Sequence, residues 1–323
     1  MIIFSMDGQV AQAEALLIAL KNNLDREVLD SQFPLKISLG ELIQRHFPDG
    51  ESYINIVSDV AGQDVIVLCQ LHHPNNKLIE LMLFAETAKQ QGAISVSLVT
   101  PYLAYMRQDK KFQSGECITS SHVSTWLSER FDSIITMDPH LHRYHQLGEI
   151  YSIPNTVLHA TDLMADYIRQ HIPMPLVIGP DSESEQWANA VAKKAGCDAI
   201  VLSKIRNGDQ DVEVSLPELK NYSGYQPVLI DDIISTGKTM IKAAENIVSL
   251  GGKPPICICV HPVFAEGALE EMQQANIAEV ISCDTIKHAT NKITVVNELA
   301  QAIITMQIAL NKQVNFQFDE QIK

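Results

Sequence analysis

Residues 228–252 read VLIDDIISTGKTMIKAAENIVSLGG, and this stretch predicts the fold of the region around it. Its first residues, Val228 to Ile230, form an apolar run typical of a buried parallel strand, and two carboxylates, Asp231 and Asp232, follow directly. After a polar turn at residues 235–239, apolar side chains recur at helical spacing. A strand, a tight turn and a helix N-terminus in this order indicate an anion site, because unpaired backbone N–H groups and the positive end of the helix dipole meet there.

The turn is built of small, hydroxyl and basic residues that suit a phosphate group: Ser235, Thr236, Gly237, Lys238 and Thr239. It is not a Walker-type loop, which requires a glycine five residues before Gly237, where this chain has Asp232. Carboxylates beside a phosphate repel it unless they bind neighbouring hydroxyl groups, as the 2′ and 3′ positions of a ribose provide. The stretch therefore favours a ribose 5-phosphate site, and the alternative is an ordinary strand, turn and helix with acidic residues at the solvent edge.

Length and composition indicate a two-domain globular protein. The chain has 323 residues, of which 46% are hydrophobic and 20% charged. A net charge of −15 argues against a nucleic-acid surface, and the sequence contains no apolar run of the ~20 residues that a membrane span requires. The N-terminus lacks the basic start of a secretory signal, and the six cysteines are scattered. We therefore expect a cytoplasmic protein with reduced cysteines, bound to neither nucleic acid nor membrane.

The segment from Asp231 to Thr239 resembles the ribose-phosphate loop of phosphoribosyltransferases and of ribose-phosphate pyrophosphokinases, also called PRPP synthetases. The family usually has a glycine or another small residue where this chain has Lys238. The resemblance implies that both carboxylates and the turn bind ribose 5-phosphate. The residues implied are Asp231, Asp232, Ser235, Thr236, Gly237, Lys238 and Thr239.

An ATP site is implied by a second block in the first half of the chain. Strand, helix and strand patterns between residues 64 and 99 predict a parallel sheet, whose ligands gather at the carboxyl ends of its strands. There, residues 101–111 resemble the family's Tyr-x-x-Tyr-x-Arg-Gln-Asp segment, which implies ATP binding by Arg107, Gln108 and Asp109. Without the resemblance, this segment reads equally well as a solvated basic loop.

The loop after residue 46 resembles the family's Phe-x-Asp-Gly-Glu segment, which contacts the adenine of ATP bound to a neighbouring subunit. The resemblance implies this role for Phe47, Asp49 and Glu51, and with it a homo-oligomer, a dimer or larger, that shares its ATP site. The alternative is a surface hairpin.

A magnesium site is implied by one histidine and one aspartate. His140 follows a predicted strand and matches the histidine that holds the metal of Mg-ATP, and Asp181 matches the second metal-associated acid. His140 and His142 could also begin a zinc site, although no later cluster completes it convincingly. We assign no role to His142 or His145. The implied cofactor is Mg2+.

Two cations precede a turn in the second half of the chain. Lys204 and Arg206 project from the same side if their segment is extended. The family has a flexible loop with this Lys-x-Arg pair over its active site, which implies a catalytic role in stabilising charge between the α- and β-phosphates. The alternative is a pair of solvated charges.

We therefore expect an α/β protein of two similar phosphoribosyltransferase-like domains, residues 1–153 and 154–323, each with a mostly parallel sheet flanked by helices. The family is identified as ribose-phosphate pyrophosphokinase, closest in motif style to archaeal-type members. It implies a transferase of nucleotide biosynthesis that moves the β,γ-diphosphoryl group of ATP to the C1 hydroxyl of ribose 5-phosphate, giving PRPP and AMP. The alternatives are a phosphoribosyltransferase and a non-catalytic regulatory protein associated with PRPP synthetase.

Overall fold

The computed structural model describes residues 1–6, 8–27, 36–180, 184–207, 211–215 and 222–321, and for residues 25–27, 203–207, 211–215 and 311–321 it describes the backbone alone. The chain divides into two compact units. The first comprises Met1–Leu158 with Val296–Lys323, and the second comprises His159–Val295.

The first unit is built on a parallel sheet of six strands with the order β2-β1-β5-β6-β7-β8. Two further strands, β3 and β4, pair as an antiparallel hairpin. The strands are β1 (Ile2–Ser5), β2 (Ser38–Leu39), β3 (Leu42–His46), β4 (Ser52–Ile56), β5 (Asp64–Leu68), β6 (Ser95–Thr100), β7 (Ser133–Met137) and β8 (Asn155–Leu158). The helices between them are α1 (Val10–Glu27), α2 (Pro74–Gln90) and α3 (Thr119–Ser128).

The second unit is built on another parallel sheet of six strands, with the order β10-β9-β13-β14-β15-β16, and it also carries an antiparallel hairpin, β11 with β12. The strands are β9 (Pro175–Gly179), β10 (Asp198–Val201), β11 (Ser203–Asn207), β12 (Asp211–Ser215), β13 (Gln226–Ile234), β14 (Ile256–Pro262), β15 (Glu279–Cys283) and β16 (Asn291–Ile293). The helices are α4 (Thr161–His171), α5 (Glu185–Ala195), α6 (Lys238–Ser249) and α7 (Ala268–Gln274), and the chain ends in α8 (Val296–Gln321).

Both sheets follow the same plan. In each, the second strand lies outside the first, the hairpin is inserted after it, and the remaining four strands continue on the other side of the first strand. The prediction of two similar α/β domains is thereby confirmed. In such a sheet the order reverses beside the first strand, and the carboxyl ends of the strands at that point are the usual place for ligands. The plan therefore provides one such crevice per unit.

The cores form where apolar strand residues meet apolar helix faces. In the first unit, residues 65–68 are all buried, and the predicted inner face of α2 contributes Leu81 and Phe84 to the core that contains Val65 and Val67. Phe84 packs edge-on against Phe4 of β1, with 5.2 Å between ring centroids. Cys257 and Cys259 of β14 are buried in the second core, as their alternate spacing predicts, and all six cysteines of the chain are free thiols.

The compact units differ from the predicted domains at both ends of the second one. The first unit continues to Leu158 rather than residue 153, because β8 pairs with β7. The closing helix α8 packs mainly against α1 of the first unit, although we placed it in the second domain. Its buried side chains include Leu299, Ile303 and Ile304, so burial of this apolar face determines where the helix lies. Within the described ranges, no helix is long and apolar enough to span a membrane.

Candidate active site

The two adjacent carboxylates of the second unit lie inside a strand rather than after it. We predict that the strand ends near Ile230, but β13 continues to Ile234, because the neighbouring β14 is long enough to pair with it as far as Pro262. The carboxylates also bond locally: Asp231 Oδ1 accepts a hydrogen bond from the N–H of Asp232 (2.9 Å), and Asp232 Oδ1 accepts one from the N–H of Ile233 (2.7 Å). Both carboxylates therefore lie close to the backbone at the carboxyl end of the central strand.

The predicted turn lies directly beyond that strand, and α6 begins within it at Lys238. Gly237 caps the helix with φ 70°, a left-handed conformation that L side chains rarely adopt. The carbonyl of Ser235 accepts a hydrogen bond from the N–H of Ala265 (2.9 Å), which ties the turn to the segment after β14. Thr236, Lys238 and Thr239 remain exposed. The hydrogen bond from Ala265 thus fixes the turn to the rest of the unit, while the hydroxyl and ammonium groups of the turn face solvent.

A neighbouring strand end approaches the same region. β9 pairs with β13 and ends at Gly179, whose missing side chain leaves room for Ser184, the residue directly before α5: a Cβ at position 179 would lie 2.6 Å from Ser184 Oγ. Asp181 follows two residues later and lies outside the described residues. The strand that precedes Asp181, β9, therefore ends beside β13 at the crevice where the sheet order reverses.

Lys204 and Arg206 lie on β11, which pairs antiparallel with β12. Lys204 is opposite Val214, and Arg206 is opposite Val212. The backbone of this segment is therefore extended, as the prediction that both cations project from the same side requires. Their side chains lie outside the described part of the structure.

In the first unit, the Arg-Gln-Asp block and the loop that carries His140 are in direct contact. The block follows β6 and the loop follows β7, and these strands are neighbours in the sheet. Arg143 Nε lies 3.2 Å from Asp109 Oδ1. The Asp109 side chain is only 6% exposed, so this carboxylate faces Arg143 within the protein rather than open solvent. Arg107, by contrast, is exposed. Sequence reasoning missed Arg143, although a cation three residues after His140 was a usable signal.

Backbone strain is concentrated at the same edge of that sheet. Three non-glycine residues with positive φ follow β5, β6 and β7 in turn: His73 (51°), Tyr105 (63°) and Asp138 (34°). A fourth such residue, Met174, precedes β9 in the second unit. Conformations of this kind each cost ~1–3 kcal/mol and persist where the surroundings hold them, often at functional sites. The phenol of Tyr105 donates to the side-chain oxygen of Asn75, so contacts between loops support one of them.

His140 is half-buried, and its ring packs edge-on against His142 with 3.9 Å between centroids. Across the described ranges, no three His, Cys, Asp or Glu side chains are grouped so as to hold a metal ion. The second predicted ligand, Asp181, lies outside those ranges. The alternative zinc site therefore gains no support there.

The predicted adenine-contacting loop is the tip of the β3–β4 hairpin. The N–H of Phe47 donates to the carbonyl of Glu51 (2.8 Å), and Asp49 Oδ1 accepts from the N–H of Glu51 (3.2 Å). All three side chains are exposed. The guanidinium of Arg45 lies over both the Phe47 ring (4.6 Å) and the Tyr53 ring (4.1 Å), close enough for cation–π attraction. The tip thus presents aromatic, cationic and acidic groups together.

Comparison with known proteins first defines the class of protein. Residues 1–130 match the model of the N-terminal domain of ribose phosphate pyrophosphokinase, and residues 146–298 match the phosphoribosyl transferase domain. A phosphoribosylpyrophosphate synthetase from Mycobacterium smegmatis has the same fold, with a TM-score of 0.77 at 23% identity, over 95% of this chain and 99% of that one.

Curated relatives then give the family. The ribose-phosphate pyrophosphokinase of Sulfolobus acidocaldarius is 35% identical over 263 residues, which cover 78% of this chain and 86% of the relative. That of Methanothermobacter thermautotrophicus is 33% identical over 260 residues, which cover 80% and 90%. The chain therefore belongs to the ribose-phosphate pyrophosphokinase family, and the predicted similarity to archaeal members is confirmed.

Proposed function

We propose that this chain is an ATP-dependent ribose-phosphate diphosphokinase. The oxygen of the C1 hydroxyl of ribose 5-phosphate attacks the β-phosphorus of ATP, the bond between that phosphorus and the α,β-bridging oxygen breaks, and AMP leaves. The hydroxyl proton passes to solvent, and the sugar retains the diphosphoryl group as PRPP. One observation carries the proposal: a ribose-phosphate turn in one unit accompanies an Arg-Gln-Asp block beside a histidine loop in the other.

Ribose 5-phosphate is bound at the carboxyl end of β13 in this proposal. The turn from Ser235 to Thr239 offers hydroxyl groups, an ammonium group and the N-terminal N–H groups of α6 to the phosphate, and the helix dipole adds to their effect. Asp231 and Asp232 accept hydrogen bonds from the ribose hydroxyl groups. A carboxylate accepts several hydrogen bonds at once, so contacts with the backbone leave capacity for a sugar.

ATP is bound at the strand ends of the first unit. Arg107 is exposed and suits bidentate binding of phosphate oxygens, and Gln108 can contact the nucleotide beside it. We assign Asp109 to the site through its pair with Arg143, which holds the block against the His140 loop. Phe47, Asp49 and Glu51 contact the adenine of ATP held by a second copy of the chain, so the active form is a homo-oligomer. The exposure of the hairpin tip supports this assignment.

The proposed metal ion is Mg2+, held by His140 and Asp181. In nucleotide sites this ion is typically bound by one or two carboxylates together with substrate phosphates and water, so Asp181 would supply a typical ligand and His140 would be an additional one. Bound there, it would neutralise charge on the phosphoryl oxygens. Lys204 and Arg206 act on the same charge from β11, because phosphoryl transfer is accelerated mainly by positioning and electrostatic stabilisation. The cytoplasmic location stays a prediction from the sequence.

One assay separates this function from its alternatives. The protein is incubated with ATP, Mg2+ and ribose 5-phosphate, and AMP is measured with and without the sugar. We expect AMP and PRPP in equal amounts and only when the sugar is present. AMP formed without the sugar, or no AMP from a protein that binds both ligands, would overturn the proposal; the second result would favour a non-catalytic regulatory protein. Release of pyrophosphate from PRPP and a nucleobase, with no use of ATP, would indicate a phosphoribosyltransferase.

A further inference from the structure

A buried glutamate connects the hairpin of the first unit to helix α2. Glu80 is 2% exposed and receives contacts from both hairpin strands. Its carboxylate accepts hydrogen bonds from Gln44 Nε2 and from Ser52 Oγ (3.3 Å), and His46 Nε2 lies 3.0 Å from Glu80 Oε1. Gln44 and His46 are two residues apart on β3, and Ser52 is opposite His46 on β4. One carboxylate therefore holds three side chains at the closed end of the hairpin.

On the opposite face of the hairpin, Arg45 contacts Phe47, one of the three proposed adenine contacts. Successive side chains of a strand point to opposite faces, so Arg45 lies on the other side from Gln44 and His46. Arg45 is opposite Tyr53 in the hairpin register, and its guanidinium contacts both Tyr53 and Phe47. The face turned to α2 is thus held by Glu80, while the outer face presents a cation and two aromatic rings.

Burying a carboxylate at position 80 has a desolvation cost that apolar packing does not offset. Glu80 lies on α2 among residues that are buried and apolar, such as Leu78, Leu81 and Phe84. An apolar residue would fill this position without the desolvation cost of a carboxylate, which only donors close to its oxygens offset. All of the donors described above come from the hairpin. The carboxylate therefore acts on the hairpin rather than on the packing of α2.

We propose that Glu80 is a positioning residue for ATP: it fixes the β3–β4 hairpin on α2 so that Phe47, Asp49 and Glu51 meet the adenine in register. This inference rests on the proposed function and extends it to a residue that touches no substrate. Without the carboxylate, Gln44, His46 and Ser52 lose their common acceptor, and the hairpin tip samples orientations in which the adenine contacts are not made together. Binding of ATP then weakens, whereas the ribose 5-phosphate turn is unaffected.

The test compares Glu80→Gln with Glu86→Gln in the full-length protein. The second substitution is a matched control, since Glu86 is on the same helix and instead pairs with Arg130 (2.9 Å). In Glu80→Gln the new amide presents N–H groups where the hairpin also presents donors. We expect its KM for ATP to rise about tenfold, the equivalent of ~1.4 kcal/mol, with KM for ribose 5-phosphate unchanged and kcat within about twofold. We expect Glu86→Gln to match the wild type.

A reciprocal exchange provides a rescue that a general loss of stability would not show. In the double variant Gln44→Glu, Glu80→Gln, the carboxylate and amide trade places and one hydrogen bond can form again, so KM for ATP should partly recover. If Glu80→Gln does not fold, Gln44→Ala and Ser52→Ala each remove one donor and should raise KM for ATP two- to threefold. An unchanged KM for ATP, or equal changes in both KM values together with a lower Tm, would overturn the role. A wild-type enzyme that makes no PRPP would instead overturn the proposed function, so the two failures are distinguishable.

Discussion

Replacing Gly237 by alanine should destabilise the ribose-phosphate turn for two separate reasons. The residue has φ 70°, and a left-handed conformation costs an L residue ~1–2 kcal/mol. An added Cβ would also lie 2.8 Å from both Cγ and Sδ of Met272, which is fully buried, and overpacking of this kind costs ~1–3 kcal/mol. Together these effects predict a loss of ~2–5 kcal/mol in the free energy of unfolding, measured by urea denaturation.

Two controls separate the backbone cost from the steric one. Gly251 has φ 84° at the other end of α6, and a Cβ there would meet nothing within 4 Å, so Gly251→Ala should lose only the backbone share, ~1–2 kcal/mol. Met272→Ala removes the neighbour of the new methyl group, so the double variant with Gly237→Ala should cost less than the sum of the two single changes. Equal losses in the free energy of unfolding for the two glycine variants, or strictly additive losses for Gly237→Ala and Met272→Ala, would show that the contact with Met272 does not destabilise Gly237→Ala.

Three further predictions concern other parts of the molecule. Arg143→Ala leaves the nearly buried carboxylate of Asp109 without its cation and should raise KM for ATP about tenfold, with partial recovery in Arg143→Lys; an unchanged KM would contradict this. Lys204→Ala and Arg206→Ala should each lower kcat about 100-fold while changing either substrate's Kd less than about threefold, and full kcat in either variant would refute the catalytic role. Asp284→Asn should gain stability relative to the wild type as pH rises, measured as the difference in Tm between pH 4 and pH 8.

The direction for Asp284 follows from its burial. Burial raises the pKa of this carboxyl group above its usual range, although the N–H of Val295 donates a hydrogen bond to Oδ1 (2.8 Å). Between the unfolded pKa of Asp284 and its higher folded pKa, the folded state binds more protons than the unfolded state. The contribution of Asp284 to the free energy of unfolding is therefore greatest below the unfolded pKa and falls as pH rises through the folded pKa. Asparagine has no such titration and can still accept from Val295. If the Tm of Asp284→Asn minus that of the wild type stays constant or decreases from pH 4 to pH 8, this explanation is excluded.

Much of the fold was predictable because the strands and helices are local patterns of apolar residues. The apolar run before Asp231 marked the central strand of the second sheet, but its true end at Ile234 depends on pairing with β14, which no local pattern contains. Similarly, the apolar face of α8 was visible in the sequence, whereas its packing on α1 is a tertiary choice. Element type was therefore more predictable than element ends and partners.

The candidate site was predictable wherever its residues are consecutive, as in the turn and in the Arg-Gln-Asp block. The supporting pairs were not, because they join distant parts of the chain: Glu80 is 28 to 36 residues from the hydrogen-bond donors Ser52 and Gln44, and Arg143 lies on a different loop from Asp109. Glu80 did leave a signal, since it is a charged residue among the apolar positions of α2. A carboxylate in that position requires hydrogen-bond donors, but only the structure identifies them.

Transfer of an intact diphosphoryl group can be followed with ATP labelled in its γ-phosphate, incubated with ribose 5-phosphate, Mg2+ and the wild-type protein. If the assignment of this chain is right, the label moves into PRPP in the same molar amount as AMP appears, and no labelled product forms when the sugar is omitted. Label found only in free phosphate or pyrophosphate, or ADP formed in place of AMP, would contradict it.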